Sequence, residues 1–207
     1  MAVFNTANRF DPADAKWVRK ASMERPVICC DTETTCFNRR SGKVIQLAVL
    51  KWFSSDKPIY SGATYLNNQG VPISEGAKKV HGIDCSMINE AKTFDQIAER
   101  LFRFLNGCII TGWNVKAFDV PFLQSEFDRI GVKWEPKLIF DGLLFERKKN
   151  KGKLIQGQKI CNKLGSTYKR YTGNEIENAH DAKADTEATW EIISKYQLKL
   201  KIPTSEN

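Results

Sequence analysis

The stretch that most constrains this chain is Val27-Ile-Cys-Cys-Asp-Thr-Glu-Thr-Thr35, in which four residues suited to a buried strand run directly into two acids. Successive side chains of a strand point to opposite faces, so Asp31 and Glu33 are expected to share one face while Thr32 points to the other. Two carboxylates at the end of a buried strand repel each other unless a cation, a proton or a basic group lies between them. A strand end in solvent would tolerate the same pair, so this stretch alone leaves a metal site and a frayed strand equally open.

Three predicted strands follow a short N-terminal helix, and helices alternate with strands after them. Runs rich in β-forming residues predict strands at 26–31, 44–53, 58–66, 108–113 and 138–141. Apolar residues at helical spacing predict helices over 13–21, 73–80, 93–105, 118–130, 142–148, 154–164 and 181–200, with Gly165 ending the sixth. Short connections between the first three strands are typical of an antiparallel meander, and the whole order predicts an α/β domain with a mixed sheet.

The chain is long enough to bury the core of a single domain, since it has 207 residues of which 42% are hydrophobic. We expect an N-terminal extension with a short helix at 1–25, one main domain over 26–201 and a short tail at 202–207. No apolar run approaches the roughly 20 residues of a membrane span, and the N-terminus lacks the apolar centre of a secretory signal. Six cysteines without a Cys-x-x-Cys pair, and only two histidines, argue against a zinc finger and for a reduced, cytoplasmic protein.

The formal charge of +8 favours a negatively charged partner such as nucleic acid. The candidate phosphate contacts are Arg39, Arg40, Lys78, Lys79 and the basic run 147–153. A basic run is also typical of an exposed, solvated loop, so its composition alone does not decide between the two. Trp113 has a similar ambiguity, because it could stack on a base or pack in the core.

Two more acids lie later in the chain, where helices are predicted to begin. Asp119 comes just after a short predicted strand, with Asn114 in the loop before it, and Asp185 lies early in the last helix. His180 precedes Asp185 by five residues, which is about 140° around a helix, so we expect His180 in the preceding loop and Asp181 as the N-cap. The two acids and His180 each have an ordinary structural role as an alternative to a catalytic one, because acids often cap helices and a lone histidine is more often structural than catalytic.

If these acids meet, they have the composition of a two-metal site. Ligand sites of open α/β sheets gather at strand ends. Four carboxylates there fit hard cations with oxygen ligands, namely two Mg²⁺ or Mn²⁺ ions. Two such ions stabilise the attacking and leaving oxygens in phosphodiester hydrolysis, and a neutral histidine is a suitable base for the attacking water.

At these residues the chain resembles the DEDD superfamily of 3′–5′ exonucleases, in particular the DnaQ-like DEDDh branch, whose last motif contains a histidine. The first motif is similar to Asp31-Thr-Glu-Thr-Thr35, the second to Asn114-x-x-x-Phe118-Asp119 and the third to His180-x-x-x-x-Asp185. The segment 72–83 is similar to one that these enzymes carry between the first two motifs. The likeness covers about residues 13–200, with the motifs in the family's order.

The resemblance implies a ribonuclease H-like fold, with a five-stranded mixed sheet flanked by helices and the second strand antiparallel to the others. It implies that two divalent metals are held by Asp31, Glu33, Asp119 and Asp185, and that His180 is the general base. It places the 3′-terminal nucleotide beside Thr32, Thr34, Thr35, Val80, His81, Asn114 and Phe118. For Val80, Asn114 and Phe118, packing or capping of a loop is an equally ordinary role. The family commonly has glycine at the position of Cys36, and a left-handed backbone there would strain a cysteine.

The leading hypothesis is a metal-dependent 3′–5′ exonuclease that acts on single-stranded DNA ends and releases nucleoside 5′-monophosphates. A 3′–5′ exoribonuclease and a polymerase proofreading subunit are the alternatives, although the chain ends soon after its last predicted helix, so no docking tail for a polymerase is expected. A nucleic-acid-binding module that has lost the chemistry is disfavoured, because all four acids and the histidine are present. A two-metal hydrolase of small molecules is less consistent with the basic loops, and no membrane partner is expected.

Overall fold

Five strands form one mixed sheet with a hydrophobic core on each of its faces, which confirms the predicted fold class. The computed structural model describes residues 25–53 and 57–198, so the predicted helix at 13–21 and the predicted tail at 202–207 lie outside the described residues. The strands of the sheet are β1 (Val27–Thr34), β2 (Val44–Trp52), β3 (Tyr60–Tyr65), β4 (Ile109–Gly112) and β5 (Ile139–Asp141). The helices are α1 (Glu75–His81), α2 (Cys85–Ile88), α3 (Phe94–Leu105), α4 (Asp119–Arg129), α5 (Gly142–Lys149), α6 (Leu164–Thr172) and α7 (Ala182–Leu198). None of the helices in the described ranges is long and apolar enough to cross a membrane.

β1 lies at the centre of the sheet, whose strand order is β3-β2-β1-β4-β5. It pairs antiparallel with β2 and parallel with β4. β2 and β3 are antiparallel to each other, whereas β4 and β5 are parallel. The second strand is therefore antiparallel to the other four, as predicted. Strands β1, β4 and β5 consequently end at the same edge of the sheet, where ligand sites of α/β proteins form.

Alternation along β1 divides its side chains between the two hydrophobic cores. Ile28 and Cys30 belong to the core under α3 and α4, whereas Val27 and Cys29 belong to the core under α7. The Sγ of Cys29 also donates to the backbone oxygen of Thr186 in α7, at 3.7 Å. Because the alternation continues along the strand, the odd-numbered acids at its end lie on the α7 face.

Helices begin and end close to the residues that their capping signals predict. The hydroxyl of Ser74 accepts the N–H of Ala77 at the start of α1, and that helix ends at Gly82 with a left-handed φ of 69°. α4 begins after Phe118, which places Pro121 in the first turn. Proline is accommodated there because the first N–H groups of a helix have no intrahelical partner.

The predicted helix over 154–164 is wrong. Leu154–Ile155 and Gln158–Lys159 instead form the two strands, β6 and β7, of a short antiparallel hairpin. The turn between them is Gln156-Gly157, and both residues have positive φ, at 50° and 78°. Positive φ at both central residues is the backbone of a type I′ turn, which suits the twist of a two-residue hairpin. Gly165 lies in the first turn of α6 and does not end a helix.

Candidate active site

The carboxyl end of β1 presents two acids on one face, as the alternation predicts. Asp31 and Glu33 are partly exposed, while Thr32 between them is buried on the other side. Burial raises the pKa of Asp31 well above its ordinary value, and repulsion from Asp119 and Glu33 raises it further. Burial, with repulsion from Asp185 and Asp119, raises the pKa of Glu33 to about 8. The four acids that the sequence singles out are therefore close enough to repel one another.

Asp119 is the first residue of α4 and is only 2% exposed. The backbone N–H and the hydroxyl of Thr32 both donate to its Oδ1, at 2.9 and 2.7 Å. Burial raises the pKa of Asp119 to about 7, although the hydrogen bonds from Thr32 oppose the rise. These two bonds fix one oxygen of the acid and tie the start of α4 to the end of β1.

Asp185 lies in the first turn of α7 and His180 lies in the loop before this helix, as helix spacing predicts. Asp181 is the cap of α7, because its Oδ1 accepts the N–H groups of Lys183 and Ala184, both at 3.1 Å. His180 precedes this cap in an exposed loop, with a φ of 70°. Its backbone N–H donates to Oδ1 of Asp185 at 3.4 Å. Burial raises the pKa of Asp185, and the bond from His180 partly offsets the rise.

Gln46, which the sequence analysis missed, holds the start of α7 against the sheet. Its Nε2 donates to Oδ2 of Asp181 at 2.8 Å, and its Oε1 accepts the N–H of Ala182 at 3.2 Å. In the sheet, Gln46 is the direct partner of Glu33. A glutamine within the otherwise apolar run 44–50 is the signal that could have identified it, because a buried amide needs hydrogen-bond partners. Through these bonds Gln46 sets where Asp185 lies relative to the acids of β1.

The donor chemistry of the four acids fits divalent cations. They offer only carboxylate oxygens, and no Lys or Arg in the described ranges forms an ion pair with any of them. Among the described residues, no group of three or more His, Cys, Asp or Glu side chains is already arranged to hold a metal ion. Buried Asp141 is different, because its two oxygens accept the N–H groups of Lys116 and Leu144 and it caps α5.

The threonines of the first motif have buried side chains that bond within the protein. The Oγ1 of Thr34 donates to the backbone oxygen of Cys36 at 2.9 Å. The Oγ1 of Thr35 accepts the N–H of Lys43 at 2.9 Å, and the hydroxyl of Thr32 is bonded to the acid of α4. The hydroxyls of all three threonines are therefore engaged within the protein.

His81 fastens the end of α1 to the end of β1. Its Nδ1 accepts the N–H of Ile83 at 3.0 Å, so the neutral ring carries its proton on Nε2, which donates to the backbone oxygen of Thr34 at 3.2 Å. Burial lowers the pKa of His81, against the opposing effect of the bond to Thr34. Neighbouring Val80 is 44% exposed. Both ring nitrogens of His81 are used within the protein, and Val80 is the accessible apolar side chain at this end of α1.

Phe122, Phe118 and Phe37 form a row of aromatic rings from the core to the surface at the start of α4. The ring centroid of Phe118 lies 4.9 Å from that of Phe122 and 6.3 Å from that of Phe37. Asn114, with a φ of 65°, lies in the loop before the row and accepts the N–H of Phe118 at its carbonyl. Phe37 is 69% exposed, and the sequence analysis missed it. Its signal was an aromatic residue in an otherwise polar turn, two positions after the first motif.

Trp113 and Cys36 resolve two questions that the sequence left open. Trp113 packs against the core under α7, and its indole N–H donates to the backbone oxygen of Asn162 at 3.2 Å. The core interpretation of Trp113 is therefore right. Cys36 is not among the described non-glycine residues with positive φ, so the turn after the first motif follows a path that does not strain a cysteine.

Outside the basic run 147–153, the four basic residues predicted to contact phosphate lie on the surface. Arg39, Arg40 and Lys79 are exposed. Lys78 is also exposed, but its Nζ pairs with Oδ2 of Asp84 at 2.5 Å. The hydrogen bond and the charge of Lys78 lower the pKa of Asp84 to about 2, so Lys78 already has an anionic partner.

The strand order, the flanking helices and the acids at one edge define a class of protein, the α/β proteins with a ribonuclease H-like fold. The structure is similar to that of Escherichia coli Exonuclease I in complex with a dT13 oligonucleotide, with a TM-score of 0.73 and 20% identity over 84% of this chain and 41% of that one. A zinc-bound form of the E. coli Exonuclease I–ssDNA complex gives a TM-score of 0.74 at the same identity, over 85% of this chain and 41% of that one. At this level of identity the likeness establishes the fold.

The sequence family is equally clear. The RNase_T family model, described as an exonuclease, matches residues 28–193, and the chain belongs to this family. It is 28% identical to the PolC-type DNA polymerase III of Caldanaerobacter subterraneus subsp. tengcongensis over 88% of this chain, and 26% identical to the 3′–5′ exonuclease DinG of Staphylococcus saprophyticus over 79% of it. The chain spans only 12% and 17% of the lengths of these two relatives.

Proposed function

We propose that this chain is a 3′–5′ exonuclease that hydrolyses the terminal phosphodiester bond of single-stranded DNA and releases nucleoside 5′-monophosphates, with two Mg²⁺ or Mn²⁺ ions. The observation that carries the proposal is the gathering of four carboxylates, with no cationic partner in the described chain, at the carboxyl end of β1. Family membership supplies the class of reaction. The likeness to a protein named as a 3′–5′ exonuclease supports the polarity.

The metal ligands in this proposal are Asp31, Glu33, Asp119 and Asp185. Divalent cations held by these oxygens supply the positive charge that stabilises the attacking and leaving oxygens of the phosphodiester. The chain itself positions the ligands. Two of them extend from the rigid central strand, Asp119 is oriented by the paired hydrogen bonds from Thr32, and Asp185 is positioned by the contacts of the α7 cap.

His180 is the proposed general base, which accepts the proton of the attacking water. It is exposed, precedes the cap of α7 and is bonded through its backbone N–H to Asp185, so its side chain projects from a loop beside the acids. A loop position suits this role, because the imidazole must reach a water at the edge of the site without being one of the buried ligands. A positioned base contributes about 10²- to 10⁴-fold to a rate of this kind.

Single-stranded ends are the proposed substrate because an exposed aromatic ring packs against the residue that precedes the α4 acid. Phe37 is 69% exposed, and its ring lies edge-on against that of Phe118, which directly precedes Asp119, so the ring is available as a base-stacking platform. The backbone of residues 32–35, with Val80, His81 and Asn114, completes the proposed contacts with the 3′-terminal nucleotide. The structures of E. coli Exonuclease I with oligonucleotides have the same fold and support a single-stranded ligand.

A proofreading role is the second candidate, and the likeness to PolC-type DNA polymerase III favours it. In that setting the same site would remove the last nucleotide of a growing strand. The two roles share one chemistry and differ in whether a polymerase delivers the substrate.

Digestion of matched single-stranded DNA, duplex DNA and RNA, each labelled at the 5′ end, tests the proposal. We expect Mg²⁺-dependent ladders that shorten from the 3′ end, with single-stranded DNA degraded fastest. Products that shorten from the 5′ end, or digestion that persists in excess EDTA, would contradict it. Faster degradation of RNA would move the substrate assignment to an exoribonuclease.

A further inference from the structure

The positive charge of the chain is concentrated in one segment. Residues 147–163, called here the basic segment, contain seven Lys or Arg residues and no Asp or Glu. The whole chain has 32 Lys and Arg against 24 Asp and Glu, so the remainder holds 25 cations against 24 acids and is nearly neutral. An excess of positive charge that is confined to one stretch is better explained by a dedicated contact with a polyanion than by a general property of the surface.

The basic segment contains the β6–β7 hairpin, whose four strand residues are all exposed. Leu154 pairs with Lys159, and Ile155 pairs with Gln158, so each face of the hairpin carries one aliphatic side chain beside a polar one. Leu154 is 59% exposed and Ile155 is 51% exposed. Because neither face is buried against the core, the hairpin gains little from packing, and a two-stranded hairpin alone is only marginally stable.

The base of the hairpin is tied to the loop that leads to the acid of α4. The side chains of Asn150 and Asn162 bond to each other at 2.7 Å and close the base. The backbone oxygen of Asn162 accepts the indole N–H of Trp113, which directly follows β4. Asn114 directly follows Trp113, and the α4 acid Asp119 comes five residues after Asn114. The hairpin therefore extends from a fixed base on the same loop that enters the candidate active site.

We propose that the β6–β7 hairpin is a second nucleic-acid contact, which holds the backbone of the single strand several nucleotides upstream of the 3′ end that enters the active site. This rests on the proposed function and deepens it, because it makes strand length a determinant of affinity. Lys151, Lys153 and Lys159 contact phosphates, and Leu154 and Ile155 pack against bases. Electrostatic contacts of this kind do not depend on sequence and slide along the strand, which suits an enzyme that advances by one nucleotide at each turnover.

An anionic membrane surface is the competing ligand for lysines beside exposed aliphatic residues. The segment is a hairpin and not an amphipathic helix, and the family acts on nucleic acid. The nucleic-acid assignment is therefore the one that the observations favour, and vesicle binding enters the test as the outcome that would overturn it.

The test compares two triple variants of equal charge change. The hairpin variant carries Lys151→Gln, Lys153→Gln and Lys159→Gln. The control carries the substitutions Lys92→Gln, Arg100→Gln and Lys137→Gln, all at exposed positions outside the basic segment. Binding of fluorescent oligonucleotides of increasing length, and of phosphatidylserine vesicles, is measured in EDTA over a range of salt concentrations. Hydrolysis of a nucleoside 5′-(p-nitrophenyl) phosphate, which reaches only the active site, is measured with Mg²⁺.

We expect the hairpin variant to bind a 20-mer at least ~10-fold more weakly near 0.1 M salt, with a log–log salt slope smaller by about 2, since each phosphate contact on a single strand contributes about 0.7. Its affinity for a trimer and its hydrolysis of the small ester should equal those of the wild type. The control should behave as the wild type throughout. A hairpin variant with wild-type binding of the 20-mer, an equal loss on the trimer or the small ester, or a loss confined to phosphatidylserine vesicles would each overturn the proposal.

The binding measurement distinguishes a failure of the hairpin proposal from a failure of the proposed exonuclease function. If the wild type hydrolyses neither oligonucleotides nor the small ester, the exonuclease proposal fails, while length-dependent binding still reports on the hairpin. If the wild type digests DNA but the hairpin variant binds and digests long strands normally, only the hairpin proposal fails.

Discussion

Thr32 donates twice to one oxygen of Asp119, through its backbone N–H at 2.9 Å and its hydroxyl at 2.7 Å. The pair joins the central strand to the first turn of α4 across 87 positions of sequence. It also explains how a carboxylate that is 2% exposed keeps a defined orientation among other acids. Mutation of a group that hydrogen-bonds to a metal ligand typically lowers metal affinity by about 10- to 100-fold.

Replacing Thr32 with Val should weaken Mg²⁺ binding by ~10-fold, because Oδ1 of Asp119 loses its hydroxyl donor and keeps only the backbone N–H. The concentration of Mg²⁺ that gives half-maximal exonuclease rate measures the effect. Thr34→Val is the matched control, since the hydroxyl of Thr34 bonds to the backbone oxygen of Cys36 and to none of the acids. An unchanged Mg²⁺ requirement in Thr32→Val would remove this orienting role.

The raised pKa values at the site predict a pH-dependent stabilisation by Mg²⁺. Glu33 has a folded-state pKa of about 8 against 4.5 in the unfolded chain, so its contribution to stability is fully present below about 4.5 and is lost as the pH rises through about 8. Bound cations relieve this loss, so the increase in Tm caused by Mg²⁺ should be small at pH 5 and large at pH 8. Thermal unfolding in EDTA and in Mg²⁺ measures it, and an increase that is equal at both pH values would contradict the prediction.

Replacing Phe37 with Ala should raise KM for single-stranded DNA by ~5- to 160-fold, because stacking of one base on an aromatic ring contributes about 1–3 kcal/mol. Phe37→Trp should keep KM near the wild-type value. Phe53→Ala is the control, as Phe53 is 41% exposed and follows Trp52, which pairs with the first residue of β1 at the opposite end of the sheet. Equal KM values for Phe37→Ala and the wild type would exclude Phe37 as a stacking surface.

Glu146, which is 1% exposed, joins α5, α6 and α7. Its carboxylate is bonded by Lys149, Asn150, Arg170, Tyr171 and Tyr196. Burial alone would raise the pKa of Glu146, but the hydrogen bonds from its partners outweigh burial and lower it. Its contribution to stability is therefore present above about 4.5 and is lost as the pH falls through the lower folded-state pKa.

Glu146→Gln should accordingly lower the free energy of unfolding by about 2–4 kcal/mol at pH 7, with a smaller difference at pH 3 to 4. Urea unfolding at the two pH values measures both. Glu99→Gln removes an exposed ion pair with Arg103 and should change stability by less than about 0.5 kcal/mol. A Glu146 variant as stable as the Glu99 variant would show that the buried network does not stabilise the packing of these helices.

The parts of the site that depend on local geometry were predictable from sequence. Strand alternation predicts the shared face of Asp31 and Glu33, and helix spacing with capping chemistry predicts Asp181 as the cap with His180 before it. Gln46 was not predictable in this way, because its bonds to the α7 cap join residues 135 positions apart and leave no local pattern. The exposure of Phe37 is likewise a property of the folded surface.

The hairpin was missed for a different reason. Leu154, Cys161 and Leu164 have a spacing that is compatible with a helix, and the prediction followed this apolar pattern. The deciding feature is the dipeptide Gln156-Gly157, whose two positive φ values no helix can accommodate. Glycine at the second turn position was the local signal for a hairpin, and an apolar pattern that short does not separate a helix from two brief strands.

The central claim is that the acids at the end of β1 hold metal ions and that His180 acts on the water. The most direct measurement follows the Mg²⁺-dependent increase in Tm and the digestion of 5′-labelled single-stranded DNA together, in the wild type, Asp31→Asn and His180→Ala. We predict that Asp31→Asn loses both the stabilisation and the digestion, by ~10³-fold or more in rate. His180→Ala should keep the stabilisation and lose about 10²- to 10⁴-fold in rate. Undiminished digestion by Asp31→Asn, or wild-type turnover in His180→Ala, would contradict the account.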